Sequence, residues 1–450
     1  MSEIGLGSFN RLSAPSKLRI TDLRFAKISG APMGCIMIKI MTNSELVGYG
    51  EIRDWSSETY GLILKSRIIG ENPCNVDKIF RRIKQFGGPS RQAGGVCGIE
   101  LALWDLAGKA YGVPVYQMLG GKFRDKVRIY SDTDMNGRPD GRKMGEALKK
   151  RMEMGFTFLK MDWGVGTLLE LDEGGLLSAP LGFIEDFKSS AGNRKHFLAD
   201  REKFNRGYDI INIAHPFTGL QITEKGLDFL ENYLAEVRST IGYEIPLAID
   251  HCGHIGLNEC IKLARRAEKY NIAWMEDLLP WQMTALYKRL ADSVAVPLAT
   301  GEDIYLKENF RPLLETGTLA VVHPDILTAG GIYETRKIGD LSQEHGAAMA
   351  IHMAETPIAA LAAAHAAAAT ENFLALEFHS VDVPWWEDLV KTPSKPLIKN
   401  GYITLTEEPG LGIEDLDDEV IRAHLDPTQK DIWVSTEQWD NEYSHDRTWS

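Results

Sequence analysis

The chain has 450 residues, 44% of them hydrophobic, and a formal net charge of −13. That length admits a barrel plus a second domain, and the acidic balance argues against nucleic acid as a partner. Apolar runs stay below the roughly 18 residues of a spanning helix, the first residues lack a signal peptide's continuous apolar core, and Cys35, Cys74, Cys97, Cys252 and Cys260 show no CxxC spacing; the expectation is a cytoplasmic protein with free thiols and no membrane partner.

Residues 17–52 read as β-rich, with KLRITDLRFAKI and GCIMIKIMT carrying β-branched runs before GYGE. Residues 57–118 read as helical. GIELALWDLAGKAYG has apolar residues at helical spacing and a glycine near its end. KVRIYSD (126–132) and GFTFLKMD (155–162) then read as strands, and PLAID (246–250) resumes the pattern. From there a rhythm sets in. Asp250, Glu276, Glu302, Asp325, His352 and Glu377 each follow a short apolar run, at gaps of 26, 26, 23, 27 and 25 residues. One strand, one helix and two loops fill such a gap. Successive units that end in chemically able side chains predict a (β/α)₈ barrel with its site at the strand C-termini.

The step from Lys160 to Asp250 is 90 residues, about 60 more than a βα unit needs. The excess, around 164–244, is expected to be an elaborated loop over the active-site face. The expected division is an N-terminal α+β capping domain (1–125), the barrel (126–378), and a C-terminal segment (379–450) that completes the cap.

Three carboxylates at consecutive strand ends, Asp250, Glu276 and Glu302, repel one another unless a cation sits between them. Hard oxygen donors select Mg²⁺ or Mn²⁺ over zinc. His251, Cys252 and His254 in HCGH offer softer ligands, but no second pair of that kind stands elsewhere. Substrate contact, or a turn at Gly253, is the better reading. An Asp that accepts from one imidazole nitrogen fixes the tautomer of the other, so Asp325 makes His352 the candidate general base. Lys160, at the end of GFTFLK, is placed to stabilise developing enolate charge. Glu377 is expected to hydrogen-bond the substrate carboxylate in protonated form, since burial among acids favours the proton.

These motifs together resemble the enolase superfamily, mandelate racemase subgroup. GIELALWDLAGKAYGVPVYQMLGG is similar to the family's signature helix and turn, and GFTFLKMDWG to its second-strand segment. PLAID, WMEDLLP and ATGED resemble the three metal-ligand strands. HPDILTAGGI and AIHMAETP resemble the Asp and His dyad segments, and ALEF the last strand. The resemblance implies an enolase-like modified TIM barrel with an α+β cap, Mg²⁺ on Asp250, Glu276 and Glu302, and removal of a proton next to a carboxylate.

The chain departs from that pattern twice. Asp162 stands where a second lysine, the base for one substrate face, is expected. Cys252 stands where relatives often have Asn or, in some sugar-acid dehydratases, His. Asp162, His251, Cys252 and His254 are therefore candidate substrate contacts, with either histidine a possible acid. One confident base favours dehydration of a sugar acid (aldonate or aldarate) to a 2-keto-3-deoxy acid. The alternatives are epimerisation or racemisation, cycloisomerisation through the same enediolate, or a non-catalytic sugar-acid-binding homologue. A zinc hydrolase barrel is disfavoured because RIYSDTD lacks a His-x-His pair. Specificity is expected from loops around Ser29–Met33 and Arg53–Glu58, and the chain is expected to form a homo-oligomer.

Overall fold

A computed structural model describes residues 15–31, 33–135, 137–169, 174–178, 220–250 and 255–442. Strands β1 (Ile20–Ile28), β2 (Cys35–Thr42) and β3 (Val47–Ile52) form an antiparallel sheet in that order. The barrel begins with β4 (Lys126–Ser131) and β5 (Leu159–Asp162). A short antiparallel pair, β6 (Leu176–Ser178) and β7 (Leu220–Ile222), interrupts it. It continues through β8 (Leu247–Asp250), β9 (Met275–Glu276), β10 (Leu298–Thr300), β11 (Val321–Val322), β12 (Ala348–Ile351) and β13 (Phe373–Phe378). Parallel pairing runs β4-β5-β8-β9-β10-β11-β12-β13, and β13 pairs back onto β4 through Leu376–Ile129 and Glu377–Tyr130. Eight parallel strands thus close a barrel, as the spacing predicts.

The elaboration after β5 ends earlier in the chain than expected. Residues Glu224–Ile241 form an amphipathic helix that buries Leu227, Leu230, Leu234 and Val237, capped by Thr223, whose side chain accepts from Gly226 N. This is the helix that the β5 to β8 crossover requires. The extra chain therefore lies between Val165 and Thr223, and residues 179–219 fall outside the described set. After the barrel come β14 (Val390–Lys391), β15 (Ile398–Lys399), β16 (Tyr402–Thr404) and β17 (Asp415–Leu416). The β15–β16 hairpin extends β4 antiparallel at its N-terminal half. Later residues return to the N-terminal sheet: Trp433 N donates to Phe25 O at 3.0 Å and Thr436 Oγ1 to Leu23 O at 2.6 Å. No helix among the described residues is long and apolar enough to cross a membrane.

Helix Gly94–Tyr111 joins the N-terminal layer to the barrel and is buried on nearly every side. It lies unusually close to β3. A Cβ on Gly50 would stand 2.0 Å from Gly98 O, and one on Gly98 would stand 2.4 Å from Glu51 O. Only glycine permits that approach. The seam fixes β3, whose end carries Glu51 and then Arg53 toward the barrel. Glu51 accepts from Thr356 N at 3.1 Å and Thr356 Oγ1 at 2.6 Å, at the start of helix Pro357–Ala368. Glu100, from the same buried helix, accepts from Ile332 N at 2.8 Å and Tyr333 N at 3.1 Å at the start of helix Gly331–Glu344. Each carboxyl satisfies amide donors that helix geometry leaves open.

Gly98→Ala is expected to lower unfolding stability by about 1–3 kcal/mol, the usual cost of overpacking a tight contact. Urea unfolding measures it, and a variant as stable as the parent would show that the seam is slack.

Candidate active site

Side chains on a strand alternate between faces, so positions two apart share one. Tyr130, Phe158, Ala248, Trp274, Ala299, Val321, Ala350 and Ala375 form a buried apolar cluster inside the barrel. Two residues beyond each, toward the strand C-termini, stand Asp132, Lys160, Asp250, Glu276, Gly301, His323, His352 and Glu377. An apolar floor therefore carries a layer in which every position but Gly301 is ionisable. The floor also supplies polar contacts upward: Trp274 Nε1 donates to Glu276 Oε2 at 3.1 Å, and Tyr130 Oη lies 2.5 Å from His323 Nε2.

Lys160 is fully buried at the centre of this layer. Its Nζ lies 2.6 Å from Asp250 Oδ2, 2.7 Å from Glu377 Oε1 and 3.2 Å from Glu276 Oε2. Burial alone would discharge the amine, but Asp250, Glu276 and Glu377 overcome it and hold the proton well above the usual lysine range. The same pairing bears on Glu377. Burial pushes its carboxyl up, yet Lys160 and His379 outweigh that and hold it at about 2, a setting that favours the carboxylate over the expected protonated form.

The acidic rim continues at Glu276, Asp277 and Glu302, whose ligand oxygens lie within 4.8 Å of one another. Gly301, at φ +151°, lets the chain turn after β10 where a Cβ would stand 2.9 Å from the His323 backbone. That turn brings Glu302 to the mouth. Burial pushes the Glu302 carboxyl up to about 7, against the opposing Arg53, with Asp250 and Glu276 adding to the rise. Asp277 rises further, from burial and then from Glu302 and Glu276. Crowded, buried oxygen donors of this kind fit a hard divalent cation such as Mg²⁺. Of the expected trio, Glu276 and Glu302 share this rim with Asp277, and the Asp250 carboxylate lies against Lys160.

Asp325 and His352 meet as the spacing predicts. His352 Nδ1 lies 2.6 Å from Asp325 Oδ2, and its Nε2 lies 3.1 Å from Glu302 Oε2. Burial, then Arg53 and neighbouring cations, hold the imidazole well below its ordinary range, so it stands neutral. Asp325 also accepts from Leu327 N at 2.6 Å. Arg53 was expected in a substrate-facing loop and is instead wholly buried. Its guanidinium pairs with Asp325, with Asp54 at 2.8 Å, with Glu302 at 3.3 Å and with Glu355 at 3.6 Å. It is the point at which the N-terminal layer grips the dyad.

Asp162 pairs in register with Asp250, one layer above Lys160 on the same strand face. His251, Cys252 and His254 lie outside the described residues. Three residues of the site went unread in the sequence. His323 Nδ1 lies 2.5 Å from Glu276 Oε1, and its Nε2 lies 3.5 Å from Glu377 Oε2. Asp132 and His379 face each other across the closure of the barrel, with His379 Nδ1 3.3 Å from Asp132 Oδ2 and Nε2 3.2 Å from Glu377 Oε1. The signal for His323 was present in the sequence: it stands two residues past Val321, as His352 stands two past Ala350.

Residues 143–420 match the family model described as enolase C-terminal domain-like, and residues 17–120 match the mandelate racemase / muconate lactonizing enzyme N-terminal domain. The chain is 31% identical over 415 residues to a D-xylonate dehydratase of Haloferax volcanii, covering 90% of this chain and 89% of that one. It is 27% identical over 417 residues to a D-galactonate dehydratase of Klebsiella pneumoniae, covering 90% and 94%. A solved mandelate racemase/muconate lactonizing enzyme-like protein from Rubrobacter xylanophilus superposes with a TM-score of 0.74 at 27% identity, covering 91% of this chain and 98% of that one.

Arg53→Met leaves Asp325 and Glu355 buried without their cation, while Asp54 keeps Arg91 at 3.2 Å. Such a loss costs about 3–5 kcal/mol. Denaturant unfolding of the variant beside Arg53→Lys tests it, with the lysine expected to recover part of the loss. Equal stability of Arg53→Met and the parent would refute the role.

Proposed function

The chain belongs to the mandelate racemase / muconate lactonizing enzyme family, and on that premise we propose that it is a Mg²⁺-dependent hydro-lyase that dehydrates a sugar acid to a 2-keto-3-deoxy acid. The observation that carries this reading is the single, well-oriented base. His352 is neutral and tied to Asp325 on one side of the mouth. On β5, the position that would supply a second base holds Asp162. Swapping a proton between two faces needs two competent groups, whereas elimination needs one base and an acid. The relatives named as D-xylonate and D-galactonate dehydratases support the same choice.

Asp250, Glu276 and Glu302 are the residues that would hold the cation, and Asp277 adds a fourth carboxylate beside them. When bound, Mg²⁺ supplies a Lewis acid for the substrate carboxylate. The protein's own groups do the rest. Lys160 offers its ammonium to the carboxylate charge that grows as the α-proton leaves. His352 Nε2 takes that proton, while Nδ1–H stays fixed on Asp325. The C–H electron pair becomes the new C=C bond, the β C–O bond breaks, and the hydroxyl departs as water after gaining a proton. The enol then tautomerises to the 2-keto acid. The apolar floor beneath Lys160 keeps these charges out of bulk solvent and so strengthens each contact.

Two measurements test the reading. With Mg²⁺ present, a panel of aldonates and aldarates that includes D-xylonate and D-galactonate is expected to yield a 2-keto acid from at least one member. His352→Asn is expected to lose that turnover by about 100- to 10,000-fold, the range for removing a general base. Exchange at C2 without loss of water would point to epimerisation instead. Separately, Mg²⁺ added to chelator-treated protein is expected to raise its thermal midpoint, by about 2.7 kcal/mol of stability at a hundredfold excess over Kd. Glu276→Gln combined with Glu302→Gln is expected to abolish the rise, and a double variant that still responds would move the cation elsewhere.

A further inference from the structure

The elimination written above leaves one role empty: the donor of the proton that departs with the hydroxyl. Among the described residues, one side chain has the placement for it. His379 follows β13 directly, and Asp132 follows β4 directly, so the closure of the barrel brings them together. The imidazole sits between two carboxylates, with Nδ1 3.3 Å from Asp132 Oδ2 and Nε2 3.2 Å from Glu377 Oε1. Neither Nε2 nor either Glu377 carboxylate oxygen has an aligned hydrogen-bond partner, although all three are buried. The His379 side chain as a whole is 15% exposed.

Its position relative to the base is equally specific. The ligand atoms of His352, Glu377 and His379 lie within 4.8 Å of one another, and the two imidazole centroids are 5.7 Å apart. A base and an acid that act on adjacent carbons of one substrate must address one small volume, and these two do. Their surroundings differ in the required sense. The His379 ring lies between the carboxylates of Asp132 and Glu377, which outweigh burial and raise it to about 10, whereas the His352 ring has the Arg53 guanidinium 3.2 Å from its Nδ1. A ring held between two carboxylates keeps a proton to give.

We propose that His379, oriented by Asp132, is the general acid of the site and protonates the departing β-hydroxyl. The inference rests on the dehydratase reading. In the step, the Nε2–H proton passes to the β-oxygen as the C–O bond breaks. The C–O electron pair leaves on the oxygen as water, the pair freed by α-proton removal forms the C=C bond, and His379 is left neutral. It recovers its proton from solvent at the open mouth. Asp132 is a positioning residue, acting through the ring it holds.

The test uses the full chain with Mg²⁺ in D₂O, with D-xylonate, D-gluconate and D-galactonate as probes, and the variants His379→Gln and Asp132→Asn. Thermal midpoints near the parent's establish that the variants are folded. Without its acid the enzyme still removes the α-proton and returns it. His379→Gln is therefore expected to form 2-keto acid about 100-fold more slowly or worse, while recovered substrate carries deuterium at C2. A 3-deoxy-3-fluoro analogue, whose leaving fluoride needs no proton, is expected to eliminate at near-parental rate. Asp132→Asn is expected to lower kcat by a smaller factor with KM little changed. Dehydration by His379→Gln within threefold of the parent would overturn the assignment. So would equal loss of dehydration and C2 exchange with no rescue by the fluoro analogue, because that pattern belongs to a residue that only steadies Glu377. A parent that dehydrates none of the three acids removes the dehydratase reading, and this inference with it.

Discussion

A lysine ammonium in the centre of a barrel is stable only if carboxylates surround it, because desolvation of an unpaired charge costs several kcal/mol. Lys160 meets three: Asp250, Glu276 and Glu377. Much of the site follows from that constraint. The acids must point inward from three different strands, so the strands must keep one register. Glu377 is held between Lys160 and His379, a setting that favours its ionised form. His323 can then bridge Glu276 and Glu377 because both carry negative charge. The layer is one electrostatic unit, and the floor of Trp274, Tyr130 and Phe158 sets the low-dielectric surroundings in which it operates.

The N-terminal layer takes part in that unit. The glycine seam between β3 and helix Gly94–Tyr111 holds Glu51 and Arg53 at fixed height over the barrel. Glu51 and Glu100 finish two barrel helices, and Arg53 reaches the dyad. Burial and then the charge on Arg53 lower the proton affinity of His352, although Arg53 and His352 are 299 apart in the chain. A segment that reads from the sequence as a place for substrate specificity thus also reaches the Asp325–His352 pair.

The barrel was legible because strand ends repeat at nearly constant spacing, and hydrophobic runs of four to six residues mark them. The dyad was legible for the same reason. His323, Asp132 and His379 were hidden by how that rhythm is counted. On the β11 segment two able residues, His323 and Asp325, share one face two positions apart, and a count of one polar residue per unit keeps the later one. Asp132 and His379 become neighbours only when the last strand pairs with the first, a contact between positions far apart in the chain. The sequence reading of Glu377 weighed burial among acids without the cations, Lys160 and His379, that closure brings beside it. The far boundary of the elaboration after β5 was set too late, because the chain through 244 includes helix Glu224–Ile241, whose polar face resembles a loop in composition.

The floor has one more consequence. Trp274 is fully buried, packs against Phe158 with ring centroids 4.9 Å apart, and donates its indole N–H to Glu276. The electronic transitions of an indole respond to charge close to its ring. The molecule therefore contains an optical gauge wired to one of its own carboxylates. Whatever cation or ligand settles over Glu276 is registered in the emission of Trp274, and no label needs to be attached to observe the site filling.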